Sequence, residues 1–414
     1  MASLPVFKVE QWMDRYETTC THNLAETCCD SISLHDLDHL SRQAGIEEPT
    51  LAALSGKRLT YGHIRGSPEL RQNIASLYPA AVADGSLGPD NVLVTQGAIG
   101  ANFLVELSLV KRGDHVVCVH PTYQSLFEVP RSLGADVDLC RLDPADGWRF
   151  SVDRLASLLR PTTSLVILNN PNNPTGQALS RSTLDAIVEA VKARAAPGCI
   201  ILSDEVYRPL FHSLPTSDDA DGAPPCSILE TGYAHAIATG SLSKAFSLAG
   251  IRVGWIATPR SDLIEAFAQR RDYNVISVSM VDDAIAARAL HPRVAQRILE
   301  RNTHLARTNR AILEAWIEKT PQVEWVPTQA GTTALLRLVR TAAAAARGGE
   351  RTAATDEVDA DDFCMRLHDR AGVLVAPGTC FDWQGWIRIG YVGNTQELQE
   401  GLDRITDFLR SESI

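Results

Sequence analysis

Residues 240–255 read GSLSKAFSLAGIRVGW, and this stretch is the strongest indication of both fold and chemistry. Lys244 comes after Ser241 and Ser243, and Arg252 follows eight residues later. A lysine amine forms a Schiff base with an aldehyde, while hydroxyls and a guanidinium bind a phosphate dianion. The pattern therefore predicts a covalently held ligand that carries an aldehyde and a phosphate.

Length and composition narrow the class of protein. The 414 residues are enough for about two or three domains, and the formal charge of −11 argues against a nucleic-acid partner or an anionic membrane. No apolar stretch is long enough to target secretion or to span a bilayer. The nine cysteines are scattered, without the Cys-x-x-Cys pair that would hold zinc. We therefore expect a cytoplasmic protein with reduced thiols, no bound metal, and no nucleic-acid or membrane partner.

Short β-rich runs alternate with helix-like sequence in the first two thirds of the chain. Buried strands are predicted at 92–95, 116–119, 165–168 and 200–203, and each is followed by a turn and a helical pattern. Strands that alternate with helices predict an α/β fold with a mostly parallel sheet covered on both faces. Such a sheet binds its ligand at the carboxyl ends of its strands.

After about residue 290 the sequence changes to long helical patterns followed by shorter strand-like runs. We expect a large domain over residues 46–292 and a small domain formed by residues 1–45 and 293–414. Within the small domain, the tract 341–361 is rich in Ala, Arg, Gly and acidic residues. This composition predicts an exposed insertion without a catalytic role.

The stretch around Lys244 resembles the cofactor site of the class I and II aminotransferases, the fold-type-I enzymes that depend on pyridoxal 5′-phosphate (PLP). The resemblance implies that Lys244 forms the Schiff base with PLP, and that Ser241, Ser243 and Arg252 bind its phosphate. It also implies a three-layer α/β/α large domain, with a smaller α+β domain that closes over the substrate.

Two further motifs of this family follow predicted strands. In Ser-Asp-Glu-Val-Tyr (203–207), the match implies that Asp204 keeps the pyridine nitrogen of PLP protonated, as an electron sink requires. It also implies that Tyr207 donates to the phenolic oxygen of PLP. The string NNPNNPTG (169–176) resembles the family's Asn-Pro-x-Asn-Pro-Thr-Gly and implies that Asn173 binds the same oxygen and borders the substrate.

The segment TQGAIGA (95–101) follows the first strand and opens a helix. Backbone N–H groups at a helix start, preceded by a Gly, form a phosphate cradle. By family position, Ala98 and Ile99 would supply those amides, and Tyr123 would stack on the pyridine face. The catalytic residues implied by the resemblance are Lys244, Asp204, Tyr207 and Tyr123.

The string YGHIRGSPELR (61–71) resembles the family's Tyr-x4-Gly-x3-Leu-Arg, in which the Tyr hydroxyl reaches the phosphate of the neighbouring subunit. If Tyr61 has this role, the enzyme is a homodimer with shared active sites. Arg388, in Ile-Arg-Ile-Gly (387–390), matches the Arg that holds the substrate α-carboxylate through two hydrogen bonds.

The segment Leu24-Ala25-Glu26 departs from the usual aminotransferase pattern, which has a Gly-rich turn beside the substrate. It looks like the corresponding segment of aminocyclopropanecarboxylate synthases, which act on a sulfonium. Stretches at 271–279 and 329–334 resemble capreomycidine synthase, which cyclises an arginine derivative. Because a carboxylate in a closed pocket suits a cation, we expect Glu26 to recognise a cationic side chain. The alternative is that Glu26 is an exposed loop residue.

The motifs leave two reactions open. The first is transamination of an α-amino acid, in which Lys244 returns the substrate proton to the cofactor. The second is elimination or ring closure on a cationic amino acid, such as an arginine derivative or S-adenosylmethionine, by a lyase or cyclase. A non-catalytic PLP-binding regulator is disfavoured because every catalytic position is filled.

Overall fold

The computed structural model describes residues 4–214, 225–340 and 358–412. Its strands are β1 (His22–Asn23), β2 (Val92–Gln96), β3 (His115–His120), β4 (Asp136–Arg141), β5 (Thr163–Asn169), β6 (Ile200–Asp204), β7 (Ala236–Ser241), β8 (Val253–Ala257), β9 (Val323–Trp325), β10 (Thr333–Leu338), β11 (Val373–Leu374), β12 (Ala376–Pro377) and β13 (Trp386–Gly390).

The α-helices are α1 (Lys8–Tyr16), α2 (Leu34–Gln43), α3 (Pro68–Ala75), α4 (Pro79–Ala83), α5 (Gly97–Leu109), α6 (Ser125–Ser132), α7 (Val152–Leu158), α8 (Arg181–Arg194), α9 (Ser261–Arg271), α10 (Met280–Leu290), α11 (Pro292–Glu318), α12 (Ala360–Ala371) and α13 (Thr395–Glu412). Within the described ranges, none of these helices combines the length and the apolar character needed to cross a bilayer.

The central sheet has the strand order β2-β8-β7-β6-β5-β3-β4. Strand β8 runs antiparallel to both of its neighbours, and the remaining pairs are parallel. Strands β3 and β7 are buried along their whole lengths, as expected for a sheet covered on both faces. The four strands expected from sequence are present, and the predicted α/β fold is confirmed.

Three neighbouring parallel strands bring polar residues to one edge of this sheet. Strand β5 ends at Asn169, β6 ends at Asp204, and β7 ends at Ser241. Because parallel strands point the same way, their carboxyl ends meet, and a ligand site forms there. Three motifs that are far apart in sequence are thus brought together.

A close approach of backbones places the start of α5 at the same edge. A Cβ on Gly254 in β8 would lie 2.3 Å from the carbonyl carbon of Gly97 and 2.6 Å from the amide nitrogen of Ala98. Real side chains do not tolerate such distances, so glycine is required at position 254. Gly97 has φ +69°, a left-handed conformation that glycine adopts without strain.

The remaining strands form two smaller sheets. One has the antiparallel order β12-β13-β10-β9, and the other is the parallel pair β1-β11, in which His22 is opposite Val373. The two ends of the chain therefore pair with each other, which confirms a smaller α+β unit. All strands of the central sheet fall within 46–292, and all strands of the two smaller sheets fall within 1–45 or 293–414. We retain these ranges as a proposal for the two domains.

The prediction of an exposed insertion at 341–361 is wrong for its C-terminal end. Residues 341–357 lie outside the described ranges. Val358 and Ala360 are buried, and α12 begins at Ala360. The carboxylate of Asp359 accepts hydrogen bonds from the amides of Asp361 and Asp362. These acidic residues therefore cap and begin a helix, which is a structural role that composition alone did not distinguish from solvation.

Candidate active site

A cavity of about 340 Å³ lies at the carboxyl ends of β5, β6 and β7. The predicted site residues that line it are Glu26, Ala98, Ile99, Tyr123, Asn173, Asp204, Tyr207, Ser241, Ser243, Lys244, Arg252 and Arg388. Tyr61 does not line it and is 75% exposed. The fold thus brings together in a single chain all but one of the residues singled out from sequence.

The amine of Lys244 is held by three consecutive residues of the N-terminal segment. Its Nζ donates to Thr27 Oγ1 (2.7 Å) and Cys28 Sγ (3.4 Å), and lies 3.7 Å from Glu26 Oε1. Burial alone would lower the pKa of Lys244, but Cys28, Tyr207 and Glu26 favour the charged amine, and the pKa is raised overall. Lys244 therefore joins the large sheet to the N-terminal segment.

Asp204 is a buried carboxylate with two fixed hydrogen bonds. It accepts from the Val206 amide (3.0 Å) and from Asn102 Nδ2 (2.9 Å), and Asn102 is itself oriented by the hydroxyl of Thr239 (2.6 Å). Burial raises the pKa of Asp204 to about 6, although both hydrogen bonds act to lower it. The carboxylate is thus in an environment where a nearby cation would stabilise its charged form.

Sequence reasoning missed Asn102. It is 2% exposed and lies four residues after Ala98 on α5, so both side chains are on one helix face. A polar residue one turn beyond the expected phosphate cradle was the available indication.

Asn173 and Tyr207 line the same cavity. Asn173 is fixed through its own amide, which donates to Asn169 Oδ1 (2.7 Å), and its Oδ1 accepts from Arg388 Nη1 (3.4 Å). Tyr207 is 2% exposed, and a Cβ on Gly331 would lie 3.4 Å from its Cγ. Burial raises the pKa of Tyr207, which keeps its hydroxyl a hydrogen-bond donor.

The start of α5 fits an anion. Gln96 provides no side-chain cap there, so the first amides of the helix keep their donors. A Cβ on Gly97 would lie 3.2 Å from Arg252 Nη2, so the guanidinium stands directly over the helix start. Beside the helix start, Ser241 pairs with Gly254, and the amide of Ser243 donates to Ser241 Oγ (3.1 Å), which fixes one of the two hydroxyls. Helix amides, a guanidinium and two hydroxyls suit a phosphate dianion.

Arg388 is a buried guanidinium with spare donors. It is 3% exposed, and its Nη2 donates to the carbonyl oxygen of Ala25 (2.9 Å). Its Nε has no hydrogen-bond partner within the described ranges. Its Cζ lies 5.1 Å from the ring centre of Phe381, which supports the flat group from one side. Burial lowers the pKa of Arg388, and such a charge calls for an anionic partner.

Tyr123 connects the loop after β3 to helix α1. Its ring centre lies 4.8 Å from that of Phe7, and its hydroxyl donates to Glu10 Oε1 (2.5 Å). Both contacts come from the first ten residues of the chain. The ring is therefore held at the cavity wall, as a stacking residue requires.

Glu26 lies in the cavity wall, with its side chain about half exposed (52%). Its Oε1 accepts from the amides of Thr27 (2.6 Å) and Cys28 (2.9 Å). Burial acts to raise the pKa of Glu26, but Lys244 and these amides outweigh it, and the pKa is lowered. A Cβ added to Gly390 in β13 would lie 1.7 Å from the Glu26 carbonyl oxygen. The absence of a side chain at Gly390 therefore lets the segment around Glu26 pack directly on β13. Glu26 is thus half exposed and also faces the cavity, and its role in recognising a cationic side chain stays a prediction.

Two further groups in the wall were missed from sequence. Thr27 and Cys28 contact the lysine amine, and helix α1 with the residue after it contributes four residues to the cavity. Those four are Val9, Glu10, Met13 and Glu17.

The part of the chain that the structure describes contains no group of three or more side chains suited to a metal ion.

The residues present fit PLP. An anion site at the start of α5, a buried carboxylate at the end of β6 and the amine of Lys244 in the same cavity match the phosphate, the ring nitrogen and the aldehyde of that molecule. The guanidinium with an unpartnered Nε remains for a substrate carboxylate.

Comparison with known proteins agrees with this site. The family model for class I and II aminotransferases matches residues 33–405. A solved PLP-dependent aminotransferase from Streptococcus suis 89-1591 is 35% identical, with a TM-score of 0.86 and 99% of each chain covered.

Two curated relatives are also similar over most of their length. Capreomycidine synthase from Streptomyces vinaceus is 29% identical over 98% of this chain and 94% of its own. Arginine–pyruvate transaminase AruH from Pseudomonas aeruginosa is 28% identical over 87% of this chain and 85% of its own.

Proposed function

The chain belongs to the class I and II aminotransferases, whose cofactor is PLP, and on this premise we propose that it transaminates an α-amino acid with Lys244 as the catalytic amine. One observation carries the proposal. The amine of Lys244, the buried carboxylate of Asp204 and the buried guanidinium of Arg388 line one cavity.

When bound, PLP withdraws electrons from the bonds at the substrate Cα, provided that its ring nitrogen is protonated. Asp204 would keep the ring nitrogen protonated, because its buried carboxylate gains from pairing with a cation and is kept in place by Asn102. Arg388 binds the substrate α-carboxylate through the donors that the protein leaves free. Because Asp204, Arg388 and Lys244 line one cavity, these two contacts would bring the substrate Cα within reach of the amine.

Lys244 moves the proton. With PLP bound, its Nζ would act as the general base that takes the proton from the substrate Cα and, in transamination, as the acid that returns it to the cofactor. Thr27 and Cys28 hold the amine at the cavity wall. Tyr207 and Asn173 would bind the phenolic oxygen, and Ser241, Ser243, Arg252 and the amides of Ala98 and Ile99 would bind the phosphate.

A second reaction is supported by the similarity to capreomycidine synthase, which extends over almost the whole chain. Here the enzyme would be a lyase or cyclase: Lys244 would remove the same proton, and the electron pair left at Cα would form a double bond as a β-leaving group departs with its bonding pair, or a ring bond as a γ-leaving group is displaced. The amino group would not pass to the cofactor. The residues that bind the cofactor would serve both reactions equally.

The two reactions are separated by following the cofactor. The purified holoenzyme is mixed with single amino acids, including arginine, and its absorbance and the products are recorded. Transamination predicts that the amino form of the cofactor accumulates with an equimolar keto acid. Substrate consumption without that form would instead show elimination or ring closure.

The proposal includes a homodimer. Tyr61 is 75% exposed, and two other large apolar side chains, Leu59 (76%) and Tyr273 (94%), are exposed as well. Exposed apolar residues of this kind favour a protein partner, and a second copy would let Tyr61 reach the other phosphate.

Hybrid dimers test this. Tyr61→Phe and Lys244→Ala subunits are mixed after each is shown to have reduced activity, because a hybrid contains one site with both native residues. Recovery of activity on mixing is expected. A fully active monomer at enzyme-assay concentrations would contradict the shared site.

We also propose that the protein works in the cytoplasm. All nine cysteines fall within the described ranges and all are unpaired. Unpaired thiols in this number suit a reducing compartment.

A further inference from the structure

The active-site cavity is lined by side chains of opposite charge. Arg388 is buried and has a free Nε, which points to a ligand with an anionic group. Three carboxylates, those of Glu10, Glu17 and Glu26, line the same cavity. We call these three residues the acidic rim.

The acidic rim is mostly unneutralised. Glu26 lies 3.7 Å from Lys244, the amine that the cofactor would occupy. Across the described ranges, neither Glu10 nor Glu17 forms an ion pair. Both are exposed at the cavity mouth, where a bound ligand would displace water and strengthen their fields. A cavity lined in this way attracts a cation to its mouth.

Helix α1 presents the rim in a fixed orientation. Glu10, Met13 and Glu17 are three and four residues apart, so they share one helical face. The hydroxyl of Tyr123 donates to Glu10 and fixes its carboxylate. At the other side of the helix, Trp12 Nε1 donates to the Val375 carbonyl oxygen (2.9 Å). The rim therefore exists before a ligand binds, which lowers the cost of binding.

We propose that Glu10 on helix α1 and Glu17 directly after it, together with Glu26, select an amino acid whose aliphatic side chain ends in a cation. The α-carboxylate binds Arg388, the methylenes pass Met13, and the guanidinium or ammonium group reaches the rim. This inference rests on the proposed function, since it assumes that an amino acid binds at Lys244. It adds two specificity-determining residues from a helix that the family motifs do not include.

The test compares two probes that differ in charge. L-Arginine and L-citrulline have the same length, but citrulline ends in a neutral urea group. The holoenzyme and its Glu10→Gln, Glu17→Gln and double variants are titrated with each probe, and the change in cofactor absorbance gives a dissociation constant. Asp14→Asn is the matched control, because Asp14 is an exposed carboxylate on the same helix that does not line the cavity.

The wild type should bind arginine more tightly than citrulline, and the preference should weaken as salt is added. Each single variant should lose about tenfold in affinity for arginine and little for citrulline. The double variant should lose more than either, and Asp14→Asn should behave as the wild type. Equal losses for both probes would show a structural role for α1 and overturn the inference, as would unchanged affinities.

The design separates this inference from the proposed function. If citrulline and other neutral amino acids perturb the cofactor but arginine has no advantage, only the acidic rim is wrong. If no amino acid changes the absorbance of the bound cofactor, the proposed function fails and the inference fails with it. Thermal melting of each variant confirms that it is folded.

Discussion

The two walls of the active-site cavity are built in different ways. The sheet wall, which contains Asp204 and Lys244, comes from the ends of buried parallel strands, and Asp204 is 4% exposed. The N-terminal wall, which consists of helix α1 and residues 24–28, carries exposed acidic side chains on a buried backbone segment: the Glu26 side chain is 52% exposed, whereas Ala25, Thr27 and Cys28 are buried. Rigid burial suits chemistry common to all substrates, whereas exposed side chains can be changed without disturbing the core. The comparison therefore assigns reactivity to the sheet wall and substrate choice to the N-terminal wall.

The largest effect is expected for the sheet wall at Lys244. Lys244→Ala should abolish turnover with every amino acid while the protein folds and retains PLP through the phosphate contacts. Activity assays with several substrates and the absorbance of the bound cofactor provide the measurement. Lys192→Ala, on the exposed face of α8, is the matched control and should keep full activity. Selective loss for one substrate would place Lys244 in specificity rather than in the reaction.

The second largest effect is expected for Asp204→Ala, again with every substrate. Without its carboxylate the pyridine ring loses its proton and becomes a poor electron sink, so kcat should fall by several orders of magnitude. Steady-state kinetics measure this. Retention of more than roughly a tenth of wild-type activity would mean that another group protonates the ring.

The N-terminal wall should respond selectively. Glu26→Gln keeps an oxygen for the amides of Thr27 and Cys28 but removes the charge. For a cationic amino acid, kcat/KM should therefore fall by a factor that corresponds to about 2–4 kcal/mol of lost transition-state binding. Neutral amino acids should be nearly unaffected. Glu47→Gln, on the surface away from the cavity, is the control.

The other outcomes for Glu26→Gln are equally informative. Equal loss for cationic and neutral substrates would mean that Glu26 acts through Lys244, 3.7 Å away, and that the two walls are not separable. An unchanged kcat/KM for both would make Glu26 a surface residue and leave ordinary transamination as the better description.

The smallest expected effect concerns stability. The pKa of Asp204 in the folded protein is about 6, above its ordinary value of 3.8. The cofactor-free protein should therefore be most stable below pH ~4 with respect to this group, and lose roughly 3 kcal/mol or less as the pH rises through about 6. Asp204→Asn should remove this dependence. Thermal melting of both apoproteins from acid to mildly alkaline pH is the measurement, and identical pH profiles would argue against a strained carboxylate.

The sheet wall could be predicted from sequence because its residues follow strands directly. Asn169, Asp204 and Ser241 end three buried runs, and parallel strands align their carboxyl ends. The order of those strands in the sheet, with β8 antiparallel, followed from packing and was not contained in any local pattern.

The N-terminal wall could not be predicted in the same detail. The contact between Lys244 and Thr27 joins residues 217 positions apart, and Tyr123 meets Glu10 across 113 positions. Such contacts depend on how α1 and the segment 24–28 pack on the rest of the chain. Asn102 was missed for a similar reason, since its role depends on a contact between helix α5 and Asp204, which lies on strand β6.

The central claim is that Lys244 is the residue that bonds to PLP in the cavity at the sheet edge. Borohydride reduction of the holoenzyme, followed by peptide mapping, tests it most directly because reduction makes the bond permanent. We predict a single labelled peptide that contains Lys244, and no label in Lys244→Ala. Label on any other lysine, or cofactor that washes out after reduction of the wild type, would contradict the account.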